Sequence, residues 1–144
     1  MVMLTGEYFA QIDQKGRVRI PAKLKRALKD GSMVTKGTNG CLFLFPQEVM
    51  QGLLQDKLQS VPLSDHAAAK SIRLLFSSAQ EIEEDNQGRT LLPRNLREFA
   101  QVQKDIVFLG VGNHAEIWSK EVYEKYNEDV DFDDAIGELV KYGV

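Results

Sequence analysis

Asp13-Gln-Lys-Gly-Arg17 returns 72 residues later as Asp85-Asn-Gln-Gly-Arg89. The likeness extends beyond five residues. Pro21 matches Pro93, Leu24 matches Leu96, and Ala27 and Leu28 match Phe99 and Ala100 at the same offset. Further on the offset is 73: Val34 matches Val107, Gly37 matches Gly110, and Phe45-Pro-Gln-Glu-Val49 matches Trp118-Ser-Lys-Glu-Val122. One inserted residue accounts for the slip. A repeat decides the architecture before any element is assigned. It divides the chain into a first half (1–60), a connector (61–79), a second half (80–130) and an acidic C-terminal segment (131–144).

Each half reads as strand, turn, strand and helix. Tyr8, Ala10 and Ile12 alternate with Glu7, Phe9 and Gln11, the period of a strand. Asp13 and Gly16 occupy the first and fourth positions of a type I turn. After it, Val18 and Ile20 face in while Arg17 and Arg19 face out, which predicts a hairpin with basic residues beside its turn. Pro21 ends the strand and opens a helix whose apolar face is Leu24, Ala27 and Leu28, with Gly31 as its left-handed stop. Pro93, Leu96, Phe99 and Ala100 repeat that logic. The runs 41–45 and 106–109 read as buried strands, and Pro46 and Ser119 as helix starts. The first of these helices gathers Val49, Met50, Leu53, Leu54 and Leu58, the second Val122, Tyr123 and Tyr126. A connector helix starts at Ser64, Asp129 to Asp134 reads as a solvated turn, and Ile136, Leu139 and Val140 as a last amphipathic helix. Halves of this size bury little alone, so they are expected to share a core.

Of the 144 residues, 43% are hydrophobic and 27% charged, as in an ordinary globular protein. Nothing approaches the ~20 consecutive apolar residues of a membrane span, and residues 1–10 lack the pattern of a signal peptide. The single cysteine, Cys41, excludes an internal disulfide and reads as a small core hydrophobe, in keeping with a reducing cytoplasm.

A net charge of −3 argues against a nucleic-acid binder only if charge is spread evenly, and it is not. Residues 1–40 hold eight basic and three acidic side chains, whereas residues 120–144 hold three basic and eight acidic ones. A basic patch attracts phosphate even on an anionic chain. At the repeated turn, Arg17 and Arg89 offer planar forks that match phosphate or the guanine edge. Asp13 and Asp85 would repel phosphate directly, so they are read as partners that fix their own arginines. The plainer reading is an ordinary Asp-x-x-Gly turn beside a solvated arginine, and Lys23, Lys25, Arg26 and Lys29 as the wet face of a helix.

Asp13-x-Lys-Gly-Arg17-Val-x-Ile-Pro21 closely resembles the signature of the MraZ family, and Asp85-x-x-Gly-Arg89-x-x-x-Pro93 its second copy. The first motif is shared with the wider AbrB-like superfamily, which includes antitoxins. The doubled motif is similar to MraZ specifically, and the resemblance covers essentially the entire chain. It implies an α+β fold, a tandem-repeat AbrB-like double-psi, swapped-hairpin β-barrel core with short flanking helices. It further implies a cytoplasmic, nucleoid-associated regulator of the division and cell-wall gene cluster. Such proteins bind repeated promoter elements of double-stranded DNA through paired Asp-x-x-x-Arg loops and assemble into homo-oligomeric rings. By residue match, the DNA-binding positions are Asp13, Arg17, Asp85 and Arg89. Lys15 and Arg19 are secondary candidates; Lys15 has Gln87 as its counterpart, so the second loop has one charge fewer.

Rival readings fare less well. Arginines beside Asp13 and Asp85 lower a carboxylate pKa, which unsuits either for proton donation. His66 and His114 stand apart without ligand spacing, and no phosphate-cradling Gly-rich loop follows a strand. The expectation is therefore no catalysis, cofactor, metal, membrane or small-molecule substrate. An antitoxin-like protein-interaction module is the alternative.

Overall fold

The alternation ahead of the first Asp–Arg motif becomes strand β1 (Glu7–Gln11), with Tyr8 and Ala10 packed on the core and Glu7, Phe9 and Gln11 exposed. The structure is a computed structural model and describes residues 2–144. In chain order there follow β2 (Arg17–Val18), α1 (Ala22–Leu28), β3 (Met33–Lys36), β4 (Leu42–Phe45) and α2 (Gln47–Leu53). Next come α3 (His66–Ser78), β5 (Gln80–Glu81), β6 (Thr90–Leu91), α4 (Arg94–Phe99), β7 (Asp105–Gly110) and β8 (Ala115–Ser119). Helices α5 (Lys120–Tyr126) and α6 (Phe132–Gly137) and a final 3-10 turn (Val140–Tyr142) complete the order.

The expected hairpin forms its turn but not its ladder. Gly16 N–H donates to the Asp13 carbonyl at 3.0 Å and Asp13 N–H to the Arg17 carbonyl at 3.0 Å. Beyond that, the strands part and take partners from the other half. β1 runs antiparallel to β7 from Glu7 opposite Leu109 to Gln11 opposite Asp105, and β2 pairs antiparallel with β6. Alternation fixes which face of a strand is buried and leaves its neighbour open. β7 offers β1 five paired positions, a longer ladder than two-residue β2 can provide.

The main sheet has six strands in the order β1-β7-β8-β4-β3-β5, and β2 and β6 form a separate ribbon. At its centre Phe43 lies opposite Glu116, its own repeat counterpart at offset 73, flanked by Leu42 opposite Ile117 and Leu44 opposite Ala115. In the ribbon Val18 lies opposite Thr90, its counterpart at offset 72. Residues that meet their own counterparts mark an approximate twofold axis between the halves.

That axis runs through a shared core. Leu24 and Leu28 of α1, Leu92, Leu96 of α4, and Ile106, Phe108 and Ile117 of the sheet form one cluster. Each such side chain contributes about 1.5–3 kcal/mol on full burial. Successive β7 residues point to opposite faces, so Val107 enters a second cluster with Cys41 and Trp118. Both faces of β7 are covered, which is why it reads as an unbroken apolar run.

Several helix boundaries differ from expectation. α1 ends at Leu28 because Lys29, not Gly31, leaves the helix first, at φ 57°. α3 is capped by Asp65 rather than Ser64, its carboxylate accepting from Ala68 N–H at 3.1 Å, where an ionised acceptor is the stronger cap. Of the apolar face assigned to α2, only Met50 is buried; the helix loosens into a π turn at Leu54–Leu58, and Leu54 is exposed. Asp131 caps α6, so the segment expected as a solvated turn starts a helix instead. Residues 128–144 are exposed throughout.

Candidate nucleic-acid interface

The two turns are chemically equivalent. Asp13 Oδ1 accepts from the N–H groups of Lys15 (3.0 Å) and Arg17 (2.8 Å), and Oδ2 accepts from Arg17 Nε at 2.7 Å. Asp85 Oδ1 accepts from the N–H groups of Gln87 (2.9 Å) and Arg89 (2.9 Å), and Oδ2 accepts from Arg89 Nε at 2.9 Å. A short acceptor that bonds the backbone two residues on is why Asp suits this position. The backbone N–H of the arginine, aided by its guanidinium, holds each carboxyl below its ordinary value of 3.8 against partial desolvation. Each aspartate is thus an ionised clamp. It occupies Nε and leaves the two terminal nitrogens of the fork for another acceptor.

The halves then fasten the turns to each other. Leu92 N–H donates to the Gly16 carbonyl at 2.8 Å; within the second half, Arg97 Nε donates to the Leu92 carbonyl at 2.9 Å. Arg19 Nη1 donates across to the Gln87 carbonyl of the second turn. Gly16 (φ 88°) and Gly88 (φ 75°) adopt the left-handed backbone that these turns need. As a result, Asp13, Arg17, Arg19 and Arg89 line one concavity of about 400 Å³. Asp85 stands outside its lining behind Arg89, and Lys15 lies exposed at the tip of the first turn. Three guanidiniums against the two clamp carboxylates leave the surface with a net positive charge. Arg97 was not singled out from sequence; nothing local distinguishes it from the solvated Arg94, which pairs with Glu98 at 3.0 Å.

Other chemistry is structural. Lys23, Lys25, Arg26 and Lys29 lie exposed along and just past α1, and Lys25 is paired with Glu84. Burial, with the Glu116 charge adding to it, pushes the Cys41 thiol up to about 12, which keeps it protonated. His66 is exposed at the start of α3. His114 packs edge-on against Phe43 with ring centroids 5.2 Å apart, and its Nε2 is 3.7 Å from Glu116. The nearby His114 ring, with a hydrogen bond that Trp118 Nε1 donates to Glu116 at 3.0 Å, lowers the Glu116 pKa. Among the described residues no group of three or more His, Cys, Asp or Glu is placed to hold a metal, and no helix is long and apolar enough to cross a membrane.

Fold and site together define a two-repeat mixed α/β protein whose halves exchange strand partners and present paired, clamped arginine loops. The chain belongs to the MraZ family: the family model "MraZ protein, putative antitoxin-like" matches residues 3–74 and again 75–136. It is similar to the protein named transcriptional regulator MraZ of Clostridium beijerinckii, 43% identical over 99% of this chain and 100% of the relative. The protein of the same name in Thermoanaerobacter pseudethanolicus is 46% identical over 92% of this chain and 93% of its own length. That of Syntrophomonas wolfei is 40% identical over 99% of this chain and 100% of its own length.

Proposed function

We propose that the protein is a transcriptional regulator that binds repeated elements in double-stranded promoter DNA through its Asp13–Arg17 and Asp85–Arg89 loops. The observation that carries the reading is the convergence of Arg17, Arg19 and Arg89 on one groove, with two of the three guanidiniums clamped by aspartate. Relatives named transcriptional regulators support it. Terminal guanidinium nitrogens contact phosphate for affinity and base edges for sequence choice. The partner exchange between halves supports an AbrB-like swapped-hairpin core, with two halves, a helical connector and an acidic tail as its parts. A homo-oligomeric ring in the cytoplasm, associated with the nucleoid, lets several loop pairs engage successive repeats and gain from effective concentration. The division and cell-wall gene cluster is the proposed target.

The test is a gel-shift titration at two salt concentrations with DNA upstream of the protein's own gene and scrambled DNA as control. Specific binding that weakens steeply with salt and is lost in Arg17→Ala and Arg89→Ala supports the reading. Equal affinity for both DNAs overturns it. A second reading, an antitoxin-like interaction module, draws on the family description and on the exposed Phe132 and Tyr142 of the C-terminal segment. Stoichiometric co-purification of a protein partner, with no DNA preference, favours it.

A further inference from the structure

The β2·β6 ribbon has an inner and an outer face. Val18 and Thr90 point inward, 2% and 1% exposed. Their neighbours alternate outward, so Arg17 stands opposite Leu91 on the outer face. Arg19 and Arg89 follow just beyond the two paired positions, where the same register, continued one step, sets them opposite each other. Three of these four positions are guanidiniums. The fourth, Leu91, is an aliphatic side chain that is 54% exposed.

The repeat gives the arrangement its meaning. At offset 72 Arg17 corresponds to Arg89, and Arg19 corresponds to Leu91. The two loops therefore share one clamped arginine and differ at the position beside it. One half offers a fork of donors there, and the other a branched hydrocarbon. Thr90 and Leu92 on either side of Leu91 are buried, so local alternation holds Leu91 outward.

Among the groups that DNA displays, one is matched to such a side chain. Thymine carries a C5-methyl in the major groove, next to acceptors that arginine pairs with on neighbouring bases. A two-stranded ribbon fits that groove. Alternate residues on a strand are about 6.8 Å apart, close to two base steps of about 3.4 Å.

We propose that Leu91 is a base-reading residue that recognises a thymine methyl beside the bases met by the arginines. This rests on the DNA-binding reading above. It makes the two halves of the ribbon read different bases, with an apolar contact on the Leu91 side only.

The test uses the tightest-binding duplex that the full-length protein recovers from a random-sequence pool. The same duplex is made with deoxyuridine in place of thymidine, which removes the C5-methyl and leaves pairing and phosphates in place. Wild type is expected to bind the uracil duplex about fourfold more weakly per contacted methyl, the loss that follows from one methylene-sized group. Leu91→Ala is expected to bind both duplexes alike while its salt slope stays at the wild-type value. Its exposed position leaves folding intact, which circular dichroism checks. Wild type indifferent to the methyl overturns the inference and leaves the DNA reading standing. Methyl dependence kept in Leu91→Ala overturns it too, since another residue then does the reading. Recovery of no duplex at all removes both.

Discussion

Gly16 and Gly88 are repeat counterparts, yet replacing them with alanine has unequal consequences. Both have positive φ, 88° and 75°, so each alanine incurs the left-handed penalty of about 1–2 kcal/mol. Their surroundings differ. A Cβ on Gly16 comes 2.6 Å from Arg97 Cζ and Nε and 2.9 Å from the Leu92 carbonyl oxygen. The Leu92 carbonyl is backbone, held to Arg97 Nε on one side of its peptide group while Leu92 N–H donates to the Gly16 carbonyl, so it cannot yield without disturbing the joint between the first turn and the second half. Overpacking of this kind adds about 1–3 kcal/mol. A Cβ on Gly88 meets only Arg19 Nη1, at 3.3 Å, the far end of a long side chain that needs to shift by only a few tenths of an ångström. Gly16→Ala should therefore cost about 2–5 kcal/mol and Gly88→Ala about 1–2 kcal/mol. Urea midpoints at one fixed protein concentration measure the difference, and thermal midpoints should fall by about 2–4 °C per kcal/mol. Equal losses for the two variants, or a larger loss for Gly88→Ala, would refute the clasp between the turns.

Leu96, fully buried beneath the ribbon, should cost about 2–5 kcal/mol when cut to alanine, read from the same urea curves. The clamp aspartates give a pH signature. Their folded pKa values lie below 3.8, so their stabilisation is complete above pH 3.8 and is lost as pH falls through the folded values. The stability gap between wild type and the Asp13→Asn, Asp85→Asn double variant should be constant from pH 7 to 5 and close toward pH 2; a gap that persists at pH 2 counts against ionised clamps. Cys41, buried and with its thiol pushed up to about 12, should resist iodoacetamide at pH 8 in the folded chain and react once urea unfolds it.

What the sequence revealed was local chemistry. The Asp–Arg clamps close within one turn, so residue types and spacing suffice to foresee them. Pro21, Pro46 and Pro93 mark helix starts for the same reason. What it hid were contacts between halves. Alternation in β1 told which side chains turn inward but not that β7 would pair with it. Likewise, the Gly16 carbonyl accepts from Leu92 N–H across the halves, a pairing that nothing in either segment announces. Helix ends were misjudged where two neighbours could both serve, as with Ser64 and Asp65, or where Lys29 accepted a left-handed conformation that Gly31 could take at lower cost.

The pairs on the approximate twofold axis bear on how such a chain can change over generations. In a dimer of identical subunits, a residue on the axis meets its own copy, so Phe43 would face phenylalanine and Glu116 would face glutamate, a repulsive pair. Fusion of two units into one gene lifts that restriction, and each side of the axis can mutate alone. Phenylalanine against glutamate and valine against threonine are combinations only the fused form can hold. The same freedom extends outward to the ribbon, where Arg19 and Leu91 have diverged, so the two ends of that surface have no need to be alike.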